Sequence, residues 1–159
     1  MTEPGTAGYS FLPHSGNPVV QFNYLNSEIN CTYHDIHARL GLSDSTMTVL
    51  YILHDFEGEC LLGDIIRLSG ASKQTVNSAL RKLEGEGALT VKPFRGKRKS
   101  VCLTEKGKDL IELYVMPVIR IENEIWASWT EQEQRLYLQL TERYLTALRE
   151  KSKALGKFL

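Results

Sequence analysis

The sequence predicts a mainly α-helical chain with one small β-hairpin. Over most of the chain, apolar residues recur at spacings of three or four, as on the buried face of an α-helix. Between Leu89 and Leu103, apolar and polar residues instead alternate along two short segments, which is typical of β-strands. The basic run Arg-Gly-Lys-Arg-Lys at residues 95–99 separates these segments, and its glycine suits a hairpin turn.

The central part of the chain, residues 61–107, has the order helix, turn, helix and hairpin. A short helix is predicted over residues 61–68, with a sharp turn at Gly70, and Ser72 is predicted to cap a second helix that reaches Glu84. This is the order of a winged helix-turn-helix, in which the second helix enters a DNA groove. The predicted fold class is therefore mainly α with a small β-hairpin wing, a winged helix-turn-helix plus a helical dimerisation layer.

The charge distribution also favours a module that binds nucleic acid. The whole chain has a formal net charge of zero, but residues 61–107 contain ten lysines and arginines against four aspartates and glutamates, a net charge of +6. The rest of the chain therefore carries −6. A basic module within an acidic protein is the electrostatic pattern of nucleic-acid binding. The alternative is a solvated basic face that has no partner.

The remaining helices flank this module. We predict a first helix over residues 20–40, a second that Ser43 caps, and a long helix that Thr104 caps and Pro117 kinks. A capping box at residues 130–133 opens the last helix, which carries the apolar stripe Leu136, Leu140, Tyr144, Ala147 and Leu148. The apolar faces of the first, penultimate and last helices are too long for one small domain to cover, so we interpret them as a dimerisation layer. A monomeric helical cap is the alternative.

These observations predict four regions. They are a mobile N-terminal arm at residues 1–18, a first dimerisation helix at 19–42, the winged helix-turn-helix at 43–107, and C-terminal dimerisation helices at 108–155. The arm is predicted from its glycines and prolines.

The predicted DNA-binding residues lie on the second helix of the module and on the wing. Lysines and arginines at these positions can neutralise phosphates, which positions a protein on DNA without reading its sequence. Glutamine, asparagine, serine and arginine on the outward face of the helix can read base edges, although simple solvation of that face is the alternative. The full set comprises Ser72, Lys73, Gln74, Thr75, Asn77, Ser78, Arg81 and Lys82 on the helix and Arg95, Lys97, Arg98 and Lys99 on the wing.

At these residues the chain resembles the MarR-type winged helix-turn-helix transcriptional regulators. The resemblance covers roughly residues 20–152 and rests on Ser-Lys-Gln-Thr-Val at 72–76, Leu-Arg-Lys-Leu-Glu at 80–84, and Leu-Thr-Glu-Lys-Gly at 103–107 directly after the wing. It implies a cytoplasmic homodimer that binds double-stranded DNA at pseudo-palindromic operators, and a repressor that a small-molecule inducer or an oxidant releases. The family wing usually carries an aspartate followed two residues later by an arginine for the minor groove. Here Arg95 and Lys97 fall at those positions, and Arg98 is the alternative for the minor-groove role.

Cys31, His34 and His37, spaced three apart on the first helix, form a candidate sensor. They are part of a metal-ligand pattern, and Cys31 by itself is a candidate redox sensor. However, two histidines and a cysteine do not complete a tetrahedral metal site, and ordinary surface or interface histidines are the alternative. We therefore expect no metal and no cofactor, while a redox- or metal-sensing regulator of the same fold stays an open alternative.

Other function classes find little support in the sequence. No common catalytic motif is present, so we expect no enzymatic activity. No apolar run is long enough to span a membrane and no secretory signal is evident, so we expect no membrane partner. Three widely spaced cysteines suit a reducing cytoplasm. The remaining alternative is a winged-helix module that binds another protein.

Overall fold

Helices make up most of the chain, which we describe from a computed structural model covering residues 16–155. The predicted arm, residues 1–18, lies almost wholly outside this range. In chain order the elements are α1 (Pro18–Arg39), α2 (Asp44–Asp55), β1 (Glu59–Leu61), α3 (Leu62–Ser69), α4 (Lys73–Gly85), β2 (Leu89–Pro93), β3 (Lys99–Leu103), α5 (Glu105–Leu110), a π-helical turn (Ile111–Val115), α6 (Met116–Ala127) and α7 (Glu131–Leu155). The predicted mainly α-helical fold with a small sheet is confirmed.

The helix-turn-helix is built on a shared apolar core. Leu50 and Leu53 of α2, Ile65 of α3, and Val76 and Leu83 of α4 are all buried. Burial of such side chains away from water is the main stabilising contribution to a core of this size. The remaining, polar side of α4 is thereby left facing solvent.

The turn between α3 and α4 depends on Gly70 and Ser72. Gly70 ends α3 with a φ of 63°, a left-handed conformation that favours glycine. The Ser72 side chain then accepts a hydrogen bond from the backbone N–H of Thr75 and caps α4, as predicted. These two residues fix the direction in which α4 leaves the turn.

The sheet has three strands rather than the two of the predicted hairpin. Its order is β1-β3-β2, and all pairs are antiparallel. Because β1 pairs with β3, the returning wing strand becomes the central strand. Ser100 is buried, although it is polar and alternates with the buried Val101 along β3, and its hydroxyl donates a hydrogen bond to the carboxylate of Glu59 on β1.

The start of α5 is anchored to the turn between α4 and β2. Thr104 caps α5 through the N–H of Gly107, and its hydroxyl donates a 2.7 Å hydrogen bond to the carbonyl of Gly87. The Lys106 ammonium donates to the carbonyl of Glu86 at 2.7 Å. Gly107 is buried, and a Cβ on it would collide with the carbonyl oxygen of Ala88. The glycine therefore permits a backbone contact that no other residue could make.

The chain divides into two compact units, one ending at Tyr114 and the other beginning at Val115. The long helix predicted to kink at Pro117 is two α-helices, α5 and α6, joined by the π-helical turn. A proline lacks the N–H that an α-helical hydrogen bond needs, and a π-helical turn is one way to accommodate that loss.

Two local arrangements order the start of α7. The predicted capping box is confirmed: the Glu133 carboxylate accepts from the Thr130 N–H at 2.7 Å, and the Thr130 hydroxyl accepts from the Glu133 N–H at 3.3 Å. The rings of Trp126, Trp129 and Tyr137 pack together with centroids 5.1–5.8 Å apart. Within residues 16–155, no helix is long and apolar enough to cross a membrane.

Candidate nucleic-acid interface

Helix α4 presents a polar face to solvent, opposite its buried side. Val76, Ala79, Leu80 and Leu83 are buried against the core, so the side chains half a turn away point outward. Asn77 is half-buried, whereas the other predicted DNA-binding residues of this helix are exposed: Ser72, Lys73, Gln74, Thr75, Ser78, Arg81 and Lys82. The hydroxyls of Ser72 and Thr75 lie 2.8 Å apart at the cap. Their first role is therefore to start the helix, while the remaining side chains project beyond it.

The wing is an exposed basic loop on a short, regular hairpin. Residues 92–99 are all exposed, and they include the four predicted cations Arg95, Lys97, Arg98 and Lys99. The strands pair in register from Leu89 with Leu103 to Pro93 with Lys99. Gly96 at the tip has a φ of 68°, the left-handed conformation that such a tight loop requires.

Helix α4 and the wing border one groove of about 610 Å³. Lys73 and Asn77 line it from α4, and Lys97, Arg98 and Lys99 line it from the wing. The start of α3 contributes Asp64, whose carboxylate is ion-paired with Arg67 at 3.1 Å. The structure thus brings five of the twelve predicted residues to one concave surface. The other seven are not among the residues lining this groove: Ser72, Gln74, Thr75, Ser78, Arg81, Lys82 and Arg95.

Two further side chains, neither of which was predicted, make contacts with the wing. The carboxylate of Glu84, at the end of α4, accepts a hydrogen bond from the backbone N–H of Val91 at 3.2 Å and so connects the helix to the first wing strand. The guanidinium carbon of Arg98 lies 5.5 Å from the ring centroid of Phe94. The only sequence signal for this second pair was an aromatic residue next to a basic run.

The candidate sensor residues have a different arrangement from the one their spacing suggested. His34 and His37 both direct Nδ1 at the carboxylate of Asp44, at 3.0 and 2.9 Å, across the junction of α1 and α2. The hydrogen bond from His34 is the main reason that the pKa of Asp44 lies below its ordinary value, and the same bond raises the pKa of His34. Asp44 was not predicted, because it lies on the next helix.

The cysteines do not join this cluster. Cys31 is exposed, Cys102 is half-buried, and Cys60 is buried, with burial raising the pKa of its thiol. A raised pKa disfavours the reactive thiolate. Within the described part of the chain, no three His, Cys, Asp or Glu side chains come together in a way that could hold a metal ion.

Comparison with known proteins shows which family this architecture is similar to. A model of the MarR family matches residues 24–100, which span α2, the helix-turn-helix and most of the wing. A search of curated proteins gives no match.

Solved structures share the fold over most of the chain. A MarR family regulator from Neisseria meningitidis superimposes with a TM-score of 0.73 at 21% identity, over 88% of this chain and 99% of that one. MepR of Staphylococcus aureus in its DNA-binding conformation gives 0.71 at 18% identity, over 83% and 98%. BpsR of Bordetella bronchiseptica, whose DNA binding is regulated by 6-hydroxynicotinic acid, gives 0.61 at 21% identity, over 78% and 98%.

Proposed function

We propose that this chain is a member of the MarR family, because a model of that family matches residues 24–100, and that it is a sequence-specific DNA-binding transcriptional regulator that acts without enzymatic chemistry. The observation that carries the proposal is the groove in which α4 and the basic wing face the same space. In a winged helix-turn-helix, such a pair places one helix in the major groove and the wing on the adjacent backbone. MepR, which has the same fold, has been solved in complex with DNA.

The separate roles that we propose for residues of α4 and the wing follow from the chemistry of their side chains. The exposed lysines and arginines of α4 and the wing would contact phosphates and release counterions, so binding should weaken steeply with salt. Gln74, Asn77 and Ser78 would read base edges in the major groove, with Arg81 able to pair with guanine. The exposure of Gln74 and Ser78 supports this role, since a base-reading side chain must project from its helix.

We also propose that the chain acts as a homodimer on pseudo-palindromic operators. In residues 131–155 no side chain is buried, although the helix carries the apolar stripe that includes Leu136, Leu140 and Leu148, each at least 42% exposed. A surface of this kind marks an interaction site. Two copies would then place their α4 helices in half-sites about one helical turn apart.

We further propose that the regulator is a repressor released by a small molecule. Control by a small molecule is supported by BpsR, a protein of the same fold whose DNA binding is regulated by 6-hydroxynicotinic acid. In a dimer, an effector needs only to change the distance between the two reading helices in order to disfavour binding.

The experiment that tests the function is selection of genomic fragments by the purified protein at low and at physiological salt. An enriched inverted repeat with a steep salt dependence is the expected result. If no sequence is enriched at either salt and binding is absent, the DNA-binding proposal is wrong, and a winged-helix module that binds another protein becomes the better interpretation.

Two substitutions separate the proposed roles. Arg98→Ala should weaken binding to all duplexes and reduce the salt slope by about one unit, since one phosphate or groove contact is lost. Gln74→Ala should instead change the selected bases while leaving the salt slope unchanged. Titration of selected and scrambled duplexes by fluorescence anisotropy measures both. The assignment fails if the two variants lose the same affinity on both duplexes.

A further inference from the structure

We propose that Phe94 is a positioning residue of the wing, whose ring holds the Arg98 guanidinium in place for the DNA minor groove. This inference rests on the proposed function and assigns to Phe94 a role in it. Phe94 would act through Arg98 rather than by touching a base.

The strand register places the two side chains together. Pro93 and Lys99 are the last paired residues of the hairpin, so Phe94 and Arg98 are the next two positions facing each other. The N–H of Phe94 donates to the carbonyl of Arg98 at 2.9 Å and closes the loop across this pair. Side chains directly opposite one another on an antiparallel hairpin lie on the same face, and the guanidinium carbon is 5.5 Å from the ring centroid.

This distance is within the range in which a cation is attracted to the face of an aromatic ring. Within residues 16–155, no carboxylate lies at ion-pair distance from Arg98, and the other three cations of the wing loop, Arg95, Lys97 and Lys99, have neither an aromatic ring nor a carboxylate at such a distance. The acidic residue that the resemblance to MarR-type regulators leads one to expect in the wing is absent from this sequence. The Phe94 ring is therefore the group that restrains the arginine.

Restraint matters because an arginine side chain loses rotational freedom when it enters a groove. Holding the guanidinium before binding reduces that loss, which is the general benefit of preorganisation. Arginine is favoured in narrow minor grooves, such as those of A-tracts, because of their strong negative potential. Loss of the ring should thus weaken binding to A-tract DNA most, while the charge of Arg98 and the salt slope remain.

The chain offers a matched control in Phe56. The two phenylalanines are almost equally exposed, 40% for Phe56 and 39% for Phe94, and both line one small pocket of about 250 Å³. No cation lies over the Phe56 ring among the described residues. Phe56→Leu therefore removes a comparable ring from the same pocket while leaving Phe94 and Arg98 themselves in place.

The test measures the affinity of the full-length protein for two duplexes of about 30 base pairs, long enough for two half-sites. One contains A-tracts and the other is rich in G·C pairs. The variants are Phe94→Leu, Phe94→Trp, Phe56→Leu, Arg98→Ala, and the double variant Phe94→Leu with Arg98→Ala. Thermal melting of each variant checks that it is folded.

Phe94→Leu should weaken binding to the A-tract duplex about two- to fivefold, as expected for an exposed cation–π pair. Phe94→Trp should retain wild-type affinity, and Phe56→Leu should have no effect. In the Arg98→Ala background, Phe94→Leu should cause no further loss. Equal losses with and without Arg98, or no loss at all, would overturn the positioning role. If the wild-type protein binds neither duplex, the proposed function fails together with this inference.

Discussion

At the scale of single residues, Asp44 connects two helices. It lies in the first turn of α2, where a negative charge is favourable, and accepts hydrogen bonds from His34 and His37 near the end of α1. His37 is buried and His34 is exposed, so the carboxylate bridges an inner and an outer histidine. Two groups at the junction between α1 and the helix-turn-helix, Asp44 and His34, therefore have shifted pKa values.

Replacing Asp44 with Asn should lower the melting temperature in a pH-dependent way. The lowered pKa of Asp44 means that its contribution is present above its ordinary value of 3.8 and is lost as the pH falls through the folded-state pKa. The raised pKa of His34 means that its contribution is full below 6.5 and is lost as the pH rises through the folded-state pKa.

The melting-temperature difference between wild type and Asp44→Asn should therefore be largest between about pH 4 and 6.5 and smaller on either side. Circular dichroism melts across this range measure it. Asp109→Asn, which changes an exposed carboxylate of α5, is the control and should show no such maximum. A melting-temperature difference that stays constant from acid to alkaline pH would show that the protonation of Asp44 and His34 is not coupled to stability.

At the scale of elements, the attachment of α5 explains the Leu-Thr-Glu-Lys-Gly sequence after the wing. Thr104 donates a hydrogen bond to the carbonyl of Gly87, and Lys106 donates one to the carbonyl of Glu86. Gly107 lets the helix backbone approach Ala88. The sequence motif that marks the family resemblance is thus a set of contacts that fixes the end of the wing to the end of α4.

Gly107→Ala should destabilise the protein by about 1–3 kcal/mol, the usual cost of forcing an atom into a packed site. Urea denaturation measures the change in the free energy of unfolding. Gly85→Ala is the matched control, because its added Cβ would meet open space at the end of α4 and should be neutral or stabilising by up to about 1 kcal/mol. If both variants have wild-type stability, the close contact between the backbone at Gly107 and the Ala88 carbonyl is contradicted.

Whether a feature of the fold or of the candidate site could be predicted from the sequence depends on how close its residues lie along the chain. The cap at Ser72, the capping box at Thr130 and the alternation of the wing strands involve neighbouring residues, so the sequence contained them. Strand β1 was missed because three residues are too few to show a period, and its partner lies about forty residues away. The Asp44 bridge and the Phe94–Arg98 pair were missed because each depends on residues brought together by a turn.

At the scale of the whole molecule, the net positive charge and the exposed apolar stripe lie in different parts of the sequence. The basic excess lies in residues 61–107, whereas α7 carries an exposed apolar stripe and no buried residue. Each region by itself has the character of a binding surface for a different partner. Under the proposed function, the first partner is DNA and the second is another copy of the chain.

Leu140→Glu should convert the proposed dimer into a monomer, because a carboxylate would have to be buried without a partner in the interface. Light scattering after gel filtration measures the mass at micromolar concentration. Gln139→Glu adds the same charge one position away from the stripe, and this control should remain dimeric. A wild-type protein that is monomeric, or a Leu140→Glu variant that stays dimeric, would contradict the proposal.

The short strand β1 also has a consequence for the order of folding. The hydrogen bond between Ser100 and Glu59 joins residues 41 positions apart, and the segment between them contains both helices of the helix-turn-helix. Closing so long a loop costs chain entropy, and this cost falls when the intervening segment is already compact. We therefore expect the sheet to close last, so that a nascent chain acquires its finished wing only after α3 and α4 have folded.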